Sequence, residues 1–203
     1  MTNTNSTLSL NKKLTLTGAF SALVIVLGIT KLGLIPLGAT ASITILHIPV
    51  ILICMLAGLP EGLFVGATFG ILSLIQAAMS PSGVLDPFFV NPLCSVLPRM
   101  LIALIAWSMW HALKMIPHMP KTVAAGITGF ITTVAHTLLV LGCLYIFKAE
   151  DVHAALGGMG YIALVGACLF NAILEAAAAT IICAAVYAGL FIAGKKKSKL
   201  SQE

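Results

Sequence analysis

Long apolar stretches separated by short connecting segments dominate the pattern of hydrophobic and polar positions in this chain. Six of them approach or exceed the roughly 20 predominantly apolar residues that a helix needs to cross a bilayer. They run over residues 14–30, 43–58, 63–79, 94–113, 123–147 and 161–193. The pattern therefore predicts an all-α, polytopic membrane protein built as a bundle of six transmembrane helices.

The connecting segments differ in character. Residues 58–62, Gly-Leu-Pro-Glu-Gly, leave room only for a tight turn, so the second and third helices should be antiparallel neighbours. Residues 31–42 and 80–93 are rich in glycine and proline and are nevertheless apolar. Loops of this kind often cover binding sites, and we expect these two to close the outer end of the bundle.

Composition supports a membrane protein and excludes several other classes. Hydrophobic residues make up 60% of the chain and charged residues 8%, whereas a soluble domain carries about 25% charged residues. The net charge of +5 comes largely from lysines beside the apolar runs, so it does not indicate nucleic-acid binding. The five cysteines show no paired spacing, which argues against a metal site or a disulfide framework. We expect no metal and no cofactor.

The distribution of basic residues predicts the orientation. One set of helix ends carries eight lysines, Lys12, Lys13, Lys114, Lys121, Lys195, Lys196, Lys197 and Lys199, and the other carries Lys31, Arg99 and Lys148. The positive-inside rule then places both termini in the cytoplasm. The expected organisation is a cytoplasmic tail over 1–13, the six-helix domain over 14–194 and a basic cytoplasmic tail over 195–203. The polar start does not match a cleaved signal peptide.

Ionisable groups inside the apolar runs mark the candidate site, because each costs at least about 2.5 to 3.5 kcal/mol to insert. Asn171 and Glu175 lie four residues apart in the last run and would share one helix face. They are candidates for lining a solute pocket. The alternative is that they bond to each other and to neighbouring helices as structural contacts.

Further candidate substrate-binding residues lie in the middle or outer half of the bundle. Arg99 begins the fourth helix, and its guanidinium can hold a carboxylate through two parallel hydrogen bonds. The alternative for Arg99 is an interfacial side chain that reaches the lipid headgroups. His47, one turn into the second helix, and His136, in the middle of the fifth, are further candidates, although a lone helical histidine is more often a packing residue. Gln76 and Asn91 complete the predicted set.

The sequence contains none of the catalytic or nucleotide-binding signatures that we sought. It has no Gly-x-Ser-x-Gly, no His-Glu-x-x-His and no phosphate loop. We therefore expect a transport protein and not an enzyme, driven by an ion gradient or by partner subunits. Two alternatives remain open: a free-standing secondary carrier of a small organic anion, and an intramembrane enzyme that uses Glu175 with His136.

Three local phrases carry a resemblance to the substrate-binding S components of energy-coupling factor (ECF) transporters. They are TILHIPV over 44–50, LPRMLI over 97–102 and NAILEA over 171–176. The resemblance covers nearly the whole chain. It implies a multi-pass protein of the bacterial cytoplasmic membrane that binds a small water-soluble vitamin at its outer face. It also implies partners: a transmembrane T subunit, against which the S component topples in the membrane, and two cytoplasmic ATPases that drive this movement.

The resemblance also implies a docking surface and a substrate class. S components dock on the T subunit through small residues of the first helix, which Gly18, Ala19 and Ala22 match, with glycine replacing the usual first alanine. Small-xxx-small spacing lets another helix approach closely. Among the vitamins of the subgroup we favour pantothenate over folate, pyridoxine-type compounds and cobalamin. Arg99 suits a carboxylate, and the outer loops hold few aromatic residues for stacking on a large flat ring.

Overall fold

A computed structural model describes residues 8–36, 42–81, 85–158 and 160–200. In chain order the elements are α1 (Leu10–Ile29), β1 (Leu34–Pro36), β2 (Ser42–Thr44), α2 (Ile48–Leu56), α3 (Leu59–Met79), a 3-10 helix (Asp86–Val90), α4 (Pro92–Lys114), α5 (Lys121–Phe147), α6 (Ala149–Ala155) and α7 (Tyr161–Leu200). Most of the predicted N-terminal tail, and residues 201–203 of the C-terminal tail, lie outside the described residues.

Five helices of the described chain have the length and hydropathy to cross a membrane. They are α1, α3, α4, α5 and residues 161–190 of α7. The prediction of an all-α membrane protein is confirmed in this respect. Both α3 and α4 begin earlier than predicted and carry a proline, Pro60 and Pro92, in their first turn. Proline suits that position because the N–H it lacks would have no intrahelical acceptor there.

The predicted membrane helix over 43–58 is wrong in its extent. Residues 43 and 44 belong to β2, and α2 has only nine residues, about 14 Å at 1.5 Å per residue. That is less than half of the roughly 30 Å hydrocarbon core. Eight of the nine residues are buried, so α2 lies inside the bundle. The β-branched Ile43, Thr44 and Ile45 favour extended backbone, and a short apolar run does not by itself distinguish strand from helix.

Contacts at both ends fix the relative directions of the first three helices. Lys13 Nζ lies 3.1 Å from Glu61 Oε1, which joins the start of α1 to the start of α3. Gln76 Nε2 donates to Gly28 O at 2.6 Å, which joins their far ends. α1 and α3 are therefore parallel, and α2 runs back between them. The chain reverses from α2 to α3 at Gly58, whose φ of 130° favours glycine, as the predicted tight turn requires.

Glycines allow α3 and α4 to pack closely. A Cβ atom on Gly66 would lie 2.5 Å from the Arg99 carbonyl oxygen, and one on Gly70 would lie 2.6 Å from Val96 Cα. Later residues of α3 thus face earlier residues of α4, so the two helices are antiparallel. Because the backbones touch, the Arg99 side chain begins deep in the interface between these helices.

The remaining helices continue the alternation. Cys94 Sγ donates to Cys143 O at 3.7 Å, which joins the start of α4 to the late part of α5. A Cβ atom on Gly129 would lie 2.8 Å from the Ala179 carbonyl oxygen, and one on Gly126, earlier in α5, would lie 3.4 Å from the Thr180 carbonyl oxygen, later in α7. Consequently α1, α3 and α5 run one way, and α2, α4 and α7 run the other.

The segments expected to be loops contain regular structure, gathered at one end of the bundle. β1 and β2 form an antiparallel hairpin in which Leu34 opposes Thr44. The 3-10 helix lies within the predicted loop over 80–93, and α6 lies between α5 and α7. Val152 of α6 is fully buried in a cluster with Leu144. We call this the hairpin end and the opposite one the Lys13 end. Residues 37–41 and 82–84 of the two predicted covering loops lie outside the described residues.

Candidate functional site

Arg99 lies in the interior of the bundle and is 6% exposed. Its Nη1 donates to Cys94 O at 2.8 Å, and its Nη2 lies 3.4 Å from Ser73 Oγ. The guanidinium carbon is 5.4 Å from the centre of the Phe69 ring and 5.0 Å from that of Phe89. Such cation–π contacts stabilise a desolvated guanidinium. The burial argues against the alternative of an arginine that reaches the headgroups.

The charge of Arg99 has no counterion in the part of the chain that the structure describes. The ion pairs found there are Lys13–Glu61 and Lys148–Asp151. The Nε atom of Arg99 is buried and has no hydrogen-bond partner. A buried ion without a partner costs several kcal/mol, so a protein rarely keeps one without a use. The arrangement suits an anionic ligand that supplies the missing charge.

Two histidines extend this polar region. His136 of α5 is 6% exposed, and neither of its ring nitrogens has a hydrogen-bond partner. Its ring centre lies 5.2 Å from that of His47 and 6.1 Å from that of Phe69. His47 is fully buried, and its Nε2 lies 2.9 Å from Thr133 Oγ1. We call Arg99, Phe69, His136 and His47 the Arg99–His136 cluster.

The cluster offers hydrogen-bonding groups that the protein leaves unused. Besides Arg99 Nε and both nitrogens of His136, His47 Nδ1 is buried without a partner. Each such group loses about 1 to 3 kcal/mol relative to a satisfied one. A ligand with a carboxylate and additional hydroxyl or amide groups would satisfy several of them together.

The position of His47 differs from the prediction. It precedes α2 as its N-cap residue instead of lying one turn inside a helix. The extended residues of β2 end three positions earlier, so the chain enters α2 through a turn closed by Ile48 N and Ile45 O at 3.1 Å. This turn directs the His47 side chain toward α5.

Glu175 and Asn171 are not joined as the structural alternative supposed. Glu175 is 8% exposed, and its Oε1 accepts a hydrogen bond from Thr44 N at 2.6 Å. Asn171, one turn earlier on α7, is half-buried. The contact of Glu175 is therefore with the backbone of the hairpin. This geometry gives no support to the intramembrane enzyme that would pair Glu175 with His136.

Gln76 and Asn91 take part in helix contacts outside the cluster. Gln76 binds the Gly28 carbonyl oxygen of α1. Asn91 is the N-cap of α4, and its side chain accepts from Leu93 N at 2.9 Å. The structure thus brings Arg99, His47 and His136 together. The side chains of Gln76 and Asn91 bind helix backbone instead.

Phe69 and Ser73 contact Arg99 and were missed by sequence reasoning. A signal for them was present, because Gly66, Phe69, Gly70 and Ser73 recur at helical spacing on one face of α3. Glycines at that spacing mark the face in closest contact with another helix. The larger residues on that face of α3, Phe69 and Ser73, therefore contact the buried Arg99 of α4.

The predicted docking residues of α1 lie on the surface. Gly18, Ala19 and Ala22 are all exposed. A Cβ atom added to Gly18 would meet no described atom within 4 Å. This face therefore contributes nothing to the interior of the bundle and is free for another helix.

Two other features do not compete with the cluster as a ligand site. A cavity of about 70 Å³ lies between α5 and α7, but its lining is almost wholly apolar and contains none of the predicted substrate-binding residues. Its apolar lining does not suit a ligand that carries a charge. Within the described ranges no group of three or more metal-ligating side chains could hold a metal ion.

Two comparisons with known proteins found similarity over most of the chain. The family described as "ECF transporter, substrate-specific component" matches residues 12–187, which include the whole Arg99–His136 cluster. The Pantothenate transporter PanT of Leuconostoc mesenteroides subsp. mesenteroides is 31% identical over 190 residues. That similarity covers 86% of this chain and 90% of the relative.

Proposed function

Because the chain belongs to the family of ECF transporter substrate-specific components, we propose that it captures pantothenate and carries it across the membrane as the S component of such an importer. The similarity to the pantothenate transporter PanT supports this choice of vitamin. The chain contributes substrate recognition, and partner subunits supply the energy.

One observation carries the substrate assignment, namely the buried guanidinium of Arg99 without a carboxylate partner. Pantothenate contains one carboxylate, one amide and two hydroxyl groups. The carboxylate would pair with Arg99 and remove the cost of its isolated charge. His136 and His47 would hydrogen-bond the hydroxyl and amide groups, and Phe69 would contact the aliphatic part.

The remaining predicted residues would lie at the border of the site. Asn171 lies on α7 toward the hairpin end and would reach a ligand that extends from the cluster. Gln76 and Asn91, whose side chains hold helix contacts, would border the site.

We further propose that the Lys13 end faces the cytoplasm. Lys12, Lys13, Lys114 and Lys121 lie at that end, and the positive-inside rule favours the cytoplasmic side for such a concentration. The hairpin with α2 would then complete a sixth passage through the bundle, with both termini inside. The membrane would be the bacterial cytoplasmic membrane, and the hairpin end would receive the vitamin from outside.

The partners in this proposal are a transmembrane T subunit and two cytoplasmic ATPases. The exposed Gly18, Ala19 and Ala22 would form the contact with the T subunit. The sequence has no phosphate loop of its own, which fits a subunit that relies on separate ATPases. The protein would have no enzymatic activity.

Binding by the isolated chain tests the substrate assignment. The chain is purified in detergent, co-purifying small molecules are identified by mass spectrometry, and pantothenate is titrated by calorimetry. Pantothenol, which has a hydroxyl group in place of the carboxylate, is the matched control ligand. Pantothenate should bind at least about tenfold more tightly, because a buried charge pair contributes more than 1.4 kcal/mol. Equal affinities, or preferential binding of a neutral or cationic compound, would refute the assignment.

Uptake by cells tests the mechanism. Cells that express the chain with the T subunit and both ATPases should accumulate labelled pantothenate, and an ATPase variant without hydrolytic activity should abolish uptake. Uptake that persists without the ATPases would favour the free-standing secondary carrier.

A further inference from the structure

The contact between Glu175 and the hairpin indicates a role other than substrate binding. We propose that Glu175 is a positioning residue whose carboxyl group holds β2 against α7 and thereby fixes His47 in the Arg99–His136 cluster. The hydrogen bond from Thr44 N to Glu175 Oε1 measures 2.6 Å.

The direction of the Thr44 N–H group follows from the pairing of the hairpin. Ile45 N donates to Gly33 O at 3.0 Å, so the Ile45 N–H points toward β1 and its preceding segment. Successive N–H groups of a strand point to opposite sides. The Thr44 N–H therefore points away from β1, along the free edge of β2. Glu175 supplies the acceptor that this edge would otherwise lack.

The acceptor matters because the contact is partly buried, with Thr44 half-buried beside the buried Glu175. Glu175 is 8% exposed, and neither ion pair found among the described residues includes it. A buried N–H without an acceptor is costly. The carboxyl group therefore satisfies a backbone donor of the hairpin, and the hairpin satisfies part of the buried carboxyl group.

The same bond controls the position of His47. Only two residues separate Thr44 from His47, and Leu46 and His47 are almost fully buried. The turn formed by Ile45 and Ile48 leaves little freedom in this connection. Release of β2 from α7 would move His47 and break its contact with Thr133, which measures 2.9 Å.

The consequence for substrate binding rests on the proposed function, whereas the consequence for the hairpin does not. Two substitutions remove the same bond from opposite sides. Glu175→Ala removes the acceptor, and Thr44→Pro removes the donor at an edge position that tolerates proline. Glu175→Gln keeps an acceptor oxygen. Thr180→Ala, on the same helix, removes a side-chain bond to Ala176 O and a methyl group beside Gly126, leaves the hairpin contact intact and serves as the matched control.

Hydrogen exchange measures the hold on the hairpin without any ligand. In Glu175→Ala the Thr44 amide should exchange about tenfold or more faster than in the wild type, since hydrogen bonds to carboxylates are among the stronger ones. Glu175→Gln should retain most of the protection and Thr180→Ala all of it. Unchanged protection in Glu175→Ala overturns the proposal, whatever the protein binds.

Pantothenate affinity then separates positioning from direct contact. Glu175→Ala and Thr44→Pro should weaken binding by similar factors, and the double variant should be no weaker than either, because both remove one shared bond. Glu175→Gln should restore affinity. Multiplicative losses in the double variant, or unchanged affinity in Glu175→Ala with an unprotected Thr44 amide, would overturn the positioning role. If the wild type does not bind pantothenate, the proposed function fails. The exchange of the Thr44 amide still tests whether Glu175 holds the hairpin.

Discussion

Replacing Arg99 with alanine should weaken pantothenate binding by about 30-fold or more and leave pantothenol binding nearly unchanged. The substitution removes the single arginine of the sequence and the charge at the centre of the Arg99–His136 cluster. Pantothenol lacks the carboxylate, so it gains nothing from that charge. The two ligands therefore report on the charge pair and on everything else in the pocket separately.

The expected magnitude follows from the burial of Arg99. The guanidinium is 6% exposed and is covered by the rings of Phe69 and Phe89, so a bound carboxylate would be desolvated with it. Removing one partner of such a pair costs about 2 to 5 kcal/mol. The lower limit of about 2 kcal/mol corresponds to a 30-fold increase in Kd, since about 1.4 kcal/mol is tenfold.

The assay is calorimetry on purified wild-type and variant protein, with both ligands at the same salt concentration. Arg99→Ala also loses the bonds to Cys94 O and Ser73 Oγ, so its thermal stability in detergent is measured in parallel. Ser73→Ala is the matched control, because it removes one partner of the arginine and keeps the charge. It should change the preference for pantothenate over pantothenol by less than threefold.

Two results would refute the reasoning. A variant that still folds and binds pantothenate as tightly as the wild type would show that Arg99 does not contact the carboxylate. A loss of equal size for pantothenate and pantothenol would show that Arg99 only maintains the shape of the bundle. In both cases the charge-pair argument for pantothenate would fall.

Gly66→Ala should lower the thermal stability, since its methyl group would approach the Arg99 carbonyl oxygen to 2.5 Å and overpacking costs about 1 to 3 kcal/mol; an unchanged melting temperature would contradict the close helix contact. Gly18→Leu should leave stability and pantothenate binding intact, because nothing lies within 4 Å of an added Cβ, yet prevent co-purification with the T subunit. Normal assembly of that variant would place the docking face elsewhere. In a cysteine-free background that still folds, a cysteine at Met115 should react with an impermeant thiol reagent only from the cytoplasmic side, and one at Asp151 only from outside; the reverse pattern would invert the proposed orientation.

The strongest sequence signals predicted the fold class and the long helices. Apolar runs of 17 or more residues, such as 123–147, became membrane-length helices in the structure with ends displaced by only a few residues. Length decides the longest of these runs, because a long lipid-facing segment must satisfy its backbone hydrogen bonds internally as a helix. The run over 43–58 was predicted as one membrane helix, whereas in the structure it contains the end of a strand and a short buried helix.

The candidate site could be predicted in part. Arg99, His47 and His136 were identified because ionisable groups in apolar runs are costly. In the structure Phe69 contacts both Arg99 and His136, and His136 contacts His47. The same rule selected Glu175 but not its contact, because its partner is the backbone N–H of Thr44, and every residue except proline carries such a group. Gln76 and Asn91 were selected for polarity and turned out to bind helix backbone.

By itself, the sequence determined the class of protein, the five long helices and the residues whose charge or polarity is hard to bury, since these depend on composition and on local backbone requirements. Only the tertiary structure decided which of those residues meet. The distance of 5.2 Å between His47 and His136 depends on a hairpin, a nine-residue helix and the close approach of neighbouring helices. These features arise from packing between segments that are distant in sequence. The shapes of the side chains and the hydrogen bonds of buried backbone groups fix that packing. The hydrophobic pattern of a single segment does not.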